Sequence, residues 1–279
     1  MKNKRIIARL DIKNNSVVKG VNMEGLRVIG HPQSLANSYY KNGIDELLYM
    51  DVVASLYDRN GLTDIVRETA KEVFVPISVG GGIRTVCDVS DLLAVGADKI
   101  TVNTAAVRNL KFINEIAMKY GSSTIVSAIE TLKIDGDYFV FTDCGREFSN
   151  IKVCDWIKQV QDEGAGEIVI SSISKDGTGE GFDFELIDKI GHLVGVPLVV
   201  HGGAGSVQHV KEVLSHDAVD GVCISSILHY APQILGMAKE TQLEGNTSFA
   251  QSRAVSKLIK PSTVNELKQS IRAPEHSLK

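Results

Sequence analysis

Eight short apolar segments recur along this 279-residue chain, and segments with helical periodicity separate them. The apolar segments are mostly continuous in Val, Ile and Leu, a pattern typical of parallel strands buried on both faces. The predicted strands are Arg5–Ile12, Asp45–Asp51, Pro76–Gly80, Lys99–Asn103, Thr124–Glu130, Glu167–Ser172, Pro197–His201 and Gly221–Ser225. Eightfold alternation of strand and helix predicts a single (β/α)8 TIM barrel, a fold that usually takes about 250 residues. An open doubly wound sheet is the alternative.

A faint internal repeat of roughly 120 residues favours the closed barrel. Gly43-Ile-Asp-Glu46 is echoed by Gly164-Ala-Gly-Glu167, and the glycines at 80–82 by those at 202–205. The same offset relates Asp11 to Glu130 and Asn103 to Ser225. Two four-strand halves of one barrel would produce this spacing, and each half would contribute equivalent loops to the same rim.

Two segments interrupt the alternation of strands and helices. Asp135-Gly136 lies between β-rich stretches in residues 131–151 and predicts a β-hairpin inserted after the fifth strand. Residues 240–260 are polar and loosely patterned, and they precede a last helix that Pro261-Ser262-Thr263 would start. We expect residues 1–279 to form one domain, with 240–260 a loose segment and 274–279 a frayed tail.

Composition narrows the classes of partner and compartment. The net charge of −4 comes without a basic block, which argues against nucleic acid and anionic membranes. No apolar run approaches the roughly 20 residues of a membrane span, and the N-terminus lacks a signal-peptide pattern, so we expect a cytoplasmic protein. The four scattered cysteines are expected to be free thiols, and no metal-ligand spacing occurs. Neither a metal nor a cofactor is predicted.

Glycine-rich turns follow the third and seventh predicted strands. Glycine allows close backbone approach to a ligand, and successive N–H groups favour an anion. Hydroxyl and amide side chains follow strands four and eight and complete each turn. We define a first cradle by Gly81, Gly82, Asn103 and Thr104, and a second cradle by Gly202, Gly203 and Ser225. Two facing phosphate sites are therefore predicted, although tight strand-to-helix turns would also use glycines.

Two carboxylates, Asp11 and Glu130, end the first and fifth strands and would face each other between the cradles. That is where a general acid and base are needed. Asp176 follows strand six, where it orients a substrate or simply forms a turn. His201 is the histidine expected at the rim, and single polar residues there can also be turn caps. At the opposite end, Arg5, Glu46, Lys99 and Glu167 begin four strands, either as solvated charges or as a ring across the barrel floor.

Taken together, these residues resemble the cyclase subunit of imidazole glycerol phosphate synthase, from Met1 to about Tyr230 and more loosely through the last helix. The matching stretches are Arg5–Asp11, Val18–Gly20, Gly43–Leu47, Val79–Ile83, Gly96–Lys99, Asn103–Ala106, Gly164–Glu167, Asp176–Thr178 and Gly202–Gly205.

The resemblance implies an ammonia-dependent lyase of histidine biosynthesis that pairs with a glutaminase at the N-terminal face of the barrel. Ammonia would enter at the floor, travel through the core, and meet phosphoribulosyl-formimino-AICAR-phosphate at the rim. The products would be imidazole glycerol phosphate and AICAR-phosphate. Asp11 matches an acid–base aspartate and Lys19 a mobile-loop lysine over the substrate. The remaining matches are Gly82, Asn103 and Thr104 at one phosphate, Asp176, Gly177, Gly203 and Ser225 at the other, and Arg5, Glu46, Lys99 and Glu167 as an ammonia gate.

Three rim residues depart from that family's pattern. Glu130 replaces the second catalytic aspartate, His201 a small serine, and Cys144 a small polar residue. An acceptor other than the histidine-pathway intermediate is therefore an open alternative, as in paralogues that supply ammonia for amidine formation on a surface-polysaccharide sugar. A non-catalytic partner that activates the glutaminase is disfavoured by the intact cradles. The sister sugar-isomerase barrel is disfavoured by the four floor charges.

Overall fold

Eight parallel strands close into a barrel in the computed structural model, which describes residues 4–54, 62–231 and 256–272. The closure is completed by pairing between the fifth and sixth barrel strands. The barrel strands are β1 (Arg5–Lys13), β4 (Glu46–Asp51), β5 (Ile77–Gly80), β6 (Lys99–Val102), β7 (Ile125–Ile134), β10 (Glu167–Ser172), β11 (Leu198–His201) and β12 (Gly221–Ile224). The predicted (β/α)8 barrel is confirmed, and the predicted strand ends agree within one residue except at the end of β7.

Helices follow the barrel strands and cover their outer surface. They are α1 (Pro32–Lys41), α2 (Leu62–Ala70), α3 (Val86–Ala94), α4 (Thr104–Arg108), α5 (Lys111–Tyr120), α6 (Val153–Asp162), α7 (Phe184–Gly191), α8 (Val207–Ser215), α9 (Ser226–His229) and α10 (Val264–Arg272), with a 3₁₀ turn at Ser122–Thr124. A capping box begins α3, because Thr85 and Asp88 exchange side-chain and backbone hydrogen bonds. Thr263 and Glu266 do the same at the start of α10.

Alternate residues of each strand face opposite sides of the barrel wall, as the pleat of a strand requires. On β1, Ile6, Ala8 and Leu10 pack outward in the large core beneath the helices. Ile7 points inward and packs in a separate interior cluster that includes Leu48 and Val126. The wall therefore separates a large outer core from a small interior cluster. A polar side chain that points into the interior must find its partners within that small space.

Two hairpins extend the barrel at its rim. After the fifth barrel strand, β7 runs on to Ile134 and pairs antiparallel with β8 (Asp137–Thr142), which confirms the predicted insertion. A further strand, β9 (Glu147–Lys152), pairs with β8. The other hairpin, β2 (Ser16–Val21) with β3 (Glu24–Gly30), was not predicted. Its turn has positive φ angles at Asn22 and Met23, and a methionine there gives no turn signal in the sequence.

The C-terminal segment returns to the barrel before its last helix. The Lys260 N–H donates to the Gly205 carbonyl, and the Ser262 N–H donates to the Ile227 carbonyl. The rest of the segment predicted to be loose, 240–255, and the predicted frayed tail, 274–279, lie outside the described residues. None of the helices described is long and apolar enough to cross a membrane.

Leu267 tests whether α10 is an integral part of the barrel. Its side chain is fully buried, so Leu267→Ala should lower the free energy of unfolding by about 2–5 kcal/mol through lost contacts and a cavity. Gln269→Ala changes an exposed residue of the same helix and should alter stability by less than about 0.5 kcal/mol. Urea unfolding measures both. Equal stability of the two variants would show that α10 is not packed as described.

Candidate functional site

The two carboxylates predicted to face each other stand on opposite strands. β1 and β7 are separated by four steps in either direction around the barrel. Asp11 and Glu130 are both buried near the C-terminal ends of these strands, where barrel enzymes carry their active sites. The structure therefore brings both acids to one mouth.

Glu130 has little compensation for its burial. Its Oε2 accepts a hydrogen bond from the Gly145 N–H at 2.9 Å. Burial raises the pKa of Glu130 to about 7, while Arg9 and the Gly145 N–H oppose the shift and the charges of Asp11 and Asp143 add to it. At neutral pH this carboxyl exists in both protonation states, as a general acid or base requires.

Beside Glu130 lies an open cavity of about 250 Å³ that also contains the first cradle. Gly81 has φ +98°, and a Cβ there would lie 2.3 Å from the Asp51 carbonyl oxygen, so only glycine fits. The Asn103 Nδ2 donates to the Phe141 carbonyl, whereas its Oδ1 is buried without a partner. Thr104 Oγ1 accepts the Asp143 N–H at 3.1 Å. All four residues predicted for the first cradle line the cavity.

Asp11 lies in a different environment, held by two cations. Its Oδ1 is 2.7 Å from the Arg9 Nε, and its Oδ2 is 3.9 Å from the Lys19 Nζ. Burial alone would raise the pKa of Asp11, but Arg9 and then Lys19 outweigh it and hold the pKa below its ordinary value. Asp11 is therefore a carboxylate across the physiological range.

Lys19 is buried by the β2–β3 hairpin and bonds both carboxylate oxygens of Asp176 at 2.7 Å. The backbone of the hairpin also contacts the loop after β10. The Asn22 N–H donates to the Asp176 carbonyl, and a Cβ on Gly177 would lie 2.4 Å from the Gly20 carbonyl oxygen. Only about 10 Å³ of space remains around Asp11 and Lys19. In this structure the Asp11 half of the mouth is closed and the Glu130 half is open.

Asp176 and His201 form the wall between Lys19 and the second cradle. The Asp176 N–H donates to the Ser172 carbonyl, and the Asp176 Oδ1 lies 3.2 Å from the His201 Nε2. The His201 Nδ1 donates to the Cys223 carbonyl at 2.8 Å. Burial and the charge of Arg9 lower the pKa of His201, against the opposing charge of Asp176.

In the second cradle, Gly202 and Gly203 adopt φ +97° and +104°. A Cβ on Gly203 would lie 2.0 Å from the Gly181 carbonyl oxygen. The Ser225 hydroxyl donates to the Arg9 carbonyl. Ser225 and Asn103, the residues paired by the repeat, share an unusual backbone geometry: φ −128°, ψ −77° and φ −132°, ψ −84°.

The four charges at the opposite end form a closed ring, here called the floor ring. Arg5 bonds Glu46 at 2.9 Å and Glu167 at 3.1 Å. Lys99 bonds the same two carboxylates at 3.0 and 2.9 Å, and the Ser78 hydroxyl donates to Glu46. Each charge has two opposite neighbours, so the four side chains form an electrically neutral ring of alternating sign at the floor.

Sequence reasoning missed Arg9, which we had not singled out. Arg9 is only 5% exposed, and its guanidinium extends to 3.4 Å from Ser171 on β10. β10 lies three strands from β1 around the barrel, so the side chain crosses the interior. The strand period of two contained the signal: with Arg5 and Asp11 predicted to point inward, residue 9 must do so as well.

Known proteins match most of this chain. The histidine biosynthesis protein family matches residues 5–232. The imidazole glycerol phosphate synthase subunit HisF of Legionella pneumophila is 49% identical over 209 residues, covering 75% of this chain and 99% of the relative. The subunit HisF of Sulfurisphaera tokodaii is 43% identical, with coverage of 81% and 90%. That of Streptococcus sanguinis is 40% identical, with coverage of 86% and 96%.

The raised pKa of Glu130 predicts that this residue makes the protein less stable as the pH rises, whereas most carboxyl groups have the opposite effect. Because the folded pKa, about 7, exceeds the ordinary value of 4.5, the stabilising contribution is complete below the ordinary value and is lost as pH rises through 7. Glu130→Gln removes this loss. Between pH 4.5 and 8.5, the stability of the variant relative to the wild type should rise by about 3 kcal/mol.

Urea unfolding at several pH values measures this difference. Glu147→Gln, an exposed glutamate on β9, is the control and should follow the wild type throughout. A pH-independent difference between Glu130→Gln and the wild type would contradict the buried, proton-binding carboxyl.

Proposed function

The chain belongs to the histidine biosynthesis protein family, among the HisF subunits of imidazole glycerol phosphate synthase, and on this premise we propose that it is the ammonia-dependent cyclase of such an enzyme. Its substrate is phosphoribulosyl-formimino-AICAR-phosphate, and its products are imidazole glycerol phosphate and AICAR-phosphate. The observation that carries the proposal is a single barrel interior with a charged ring at the floor and two opposed acids at the mouth.

The mouth supplies what such a substrate requires. A bis-phosphate placed across it would have one phosphate at the first cradle, where Gly81 and Gly82 line the open cavity. The other phosphate would lie at the second cradle, beside Gly202 and Gly203. The reacting carbons would then lie between the carboxyl groups of Asp11 and Glu130, where acid–base chemistry on the substrate is needed. Catalysis would follow from placing ammonia against a held substrate.

A glutaminase is the proposed source of ammonia, bound at the floor. The HisF relatives are named as subunits, which requires a partner. Two large apolar side chains are exposed at this end of the barrel: Phe74, 75% exposed before β5, and Met118, 81% exposed near the end of α5. Exposed apolar surface of this kind marks interaction sites. The floor ring would then lie beneath the partner, as a gate through which ammonia enters.

A second candidate is ammonia supply for amidine formation on a surface-polysaccharide sugar. The crossing of the interior by Arg9 and the contact of His201 with Asp176 favour it, because both side chains occupy space at the mouth while the floor ring is complete. The assay of the first candidate separates the two.

Turnover with ammonium tests the cyclase proposal directly, because a saturating ammonium salt replaces the glutaminase. The purified chain should convert the bis-phosphate substrate at about 1–1000 per second. Asp11→Asn should lower kcat by on the order of a hundredfold or more with little change in KM, since it removes a carboxylate and keeps its shape. Asp135→Asn, the same change in an exposed turn, should leave both constants unchanged.

Negligible wild-type turnover at saturating ammonium would overturn the cyclase proposal and favour the sugar acceptor. Normal turnover by Asp11→Asn, with an active wild type, would instead remove Asp11 from the chemistry and leave the cyclase assignment intact.

The floor interface has its own test. Phe74→Asp places a charge in the exposed apolar surface and should weaken binding of the glutaminase by about tenfold or more, a cost expected at an interface anchor. Phe148→Asp is the matched control, because Phe148 is 50% exposed on β9 at the other end of the barrel. Calorimetric titration of the glutaminase measures both, and ammonium-driven turnover should be unchanged. Equal binding by the two variants would place the partner elsewhere.

A further inference from the structure

Arg9 is a buried ionic residue to which the proposed reaction assigns no part. Its guanidinium lies above the interior cluster of Ile7, Leu48 and Val126 and below the two acids of the mouth. The Nε is 2.7 Å from the Asp11 Oδ1. The far end reaches Ser171 on the other side of the barrel. A planar guanidinium with donors on both sides holds its partner in one geometry.

The two acids are unequally matched with cations. Asp11 has Arg9 in direct contact and Lys19 at 3.9 Å. Among the residues described, Glu130 forms no ion pair, and its carboxylate accepts the N–H of Gly145. An opposite charge in contact stabilises the ionised form of a carboxyl, and burial without one stabilises the neutral form. The contacts alone therefore favour the ionised form of Asp11 and the neutral form of Glu130.

We propose that Arg9 is a positioning residue that fixes Asp11 as a permanent carboxylate and leaves Glu130 as the carboxyl that carries the proton. The catalytic use of this division rests on the proposed function. Asp11 then stabilises positive charge on the substrate without titrating. Neutral Glu130 gives its proton to one substrate atom and recovers a proton from another in a later step, so the carboxyl returns to its starting form.

Charged groups on several elements favour or oppose the ionised forms of Asp11 and Glu130. Arg9 on β1 and Lys19 on β2 favour ionised Asp11, whereas Asp176 after β10 opposes it and His201 on β11 favours it. Burial favours neutral Glu130; the charge of Arg9 and the Gly145 N–H oppose it, and the charges of Asp11 and of Asp143, in the turn after β8, add to it. The neighbouring thiols take no part, because burial raises the pKa of Cys144 and of Cys223 on β12 to well above neutrality. Arg9 is the cation that touches one acid and not the other.

Carbon-13 NMR titration of the ligand-free chain, labelled at Asp and Glu carboxyls, tests the proposal without any substrate. Asp11→Asn and Glu130→Gln assign the two signals. In the wild type, Glu130 should titrate near pH 7, and Asp11 should remain ionised to below the ordinary aspartate range. A Glu130 signal that titrates in the ordinary glutamate range would overturn the proposal.

Two substitutions then isolate Arg9. Arg9→Met keeps length and removes the charge, so the pKa of Asp11 should rise by about one unit or more, since a contact ion pair lowers it by roughly 1–3. Arg9→Lys keeps the charge and should restore the wild-type titration of Asp11. An Asp11 titration that is the same in all three proteins would overturn the proposal. If Arg9→Met does not fold, Arg9→Gln removes the same charge with a polar side chain, and an unchanged Asp11 titration in it would equally overturn the proposal.

The dependence of kcat on pH tests whether the different protonation states of Asp11 and Glu130 are used in turnover. The limb near pH 7 should be present in the wild type and in Arg9→Lys, and Arg9→Met should add a second limb from Asp11. If Glu130 and Asp11 titrate as expected but the wild type shows no turnover, the role of Arg9 stands and the cyclase proposal is overturned. If the wild type turns over but Glu130 titrates as an ordinary glutamate, the cyclase proposal stands and the role of Arg9 is overturned.

Discussion

Closure of eight strands places alternate residues of each strand in one enclosed space, and that space has room for few side chains. β1 shows the consequence most clearly. Its inward residues run from Arg5 in the floor ring, through Ile7 in the interior cluster, to Arg9 and then Asp11 at the mouth. One strand therefore supplies a side chain to every level of the interior. Because water is largely excluded there, each charge must be paired or neutralised.

The floor and the mouth meet this requirement differently. In the floor ring two cations and two carboxylates alternate, so all four charges are matched. At the mouth, Arg9 and Lys19 match Asp11 and Asp176, and burial lowers the pKa of His201 against the opposing charge of Asp176. Among the residues described, Glu130 has no cation in contact, and its neutral form avoids an uncompensated buried charge. The chemistry proposed for the site depends on this unequal pairing of the two opposed acids, Asp11 and Glu130.

The sequence was sufficient for the barrel because each strand is a continuous apolar run with a short, readable boundary. The caps at Thr85 and Thr263 were predictable for the same reason, since they depend on residues three positions apart. The β2–β3 hairpin was missed because its turn uses Met23 at positive φ, a conformation maintained by the surrounding structure rather than by a local preference.

Within the site, spacing was enough to predict the positions of Asp11 and Glu130 on opposite strands and the glycines that line the first cradle. The partners of each side chain were not predictable from spacing. Lys19 was expected over a ligand, and in the structure it bonds Asp176, from a loop far away in the sequence. Contacts of this kind arise from closure of the barrel and of the hairpin over it. For the proposed substrate, the hairpin must open, and an anionic group close to Lys19 would replace Asp176 as its partner. Such an exchange would keep Lys19 paired throughout, whereas Asp176 would lose its cation and keep its contact with His201.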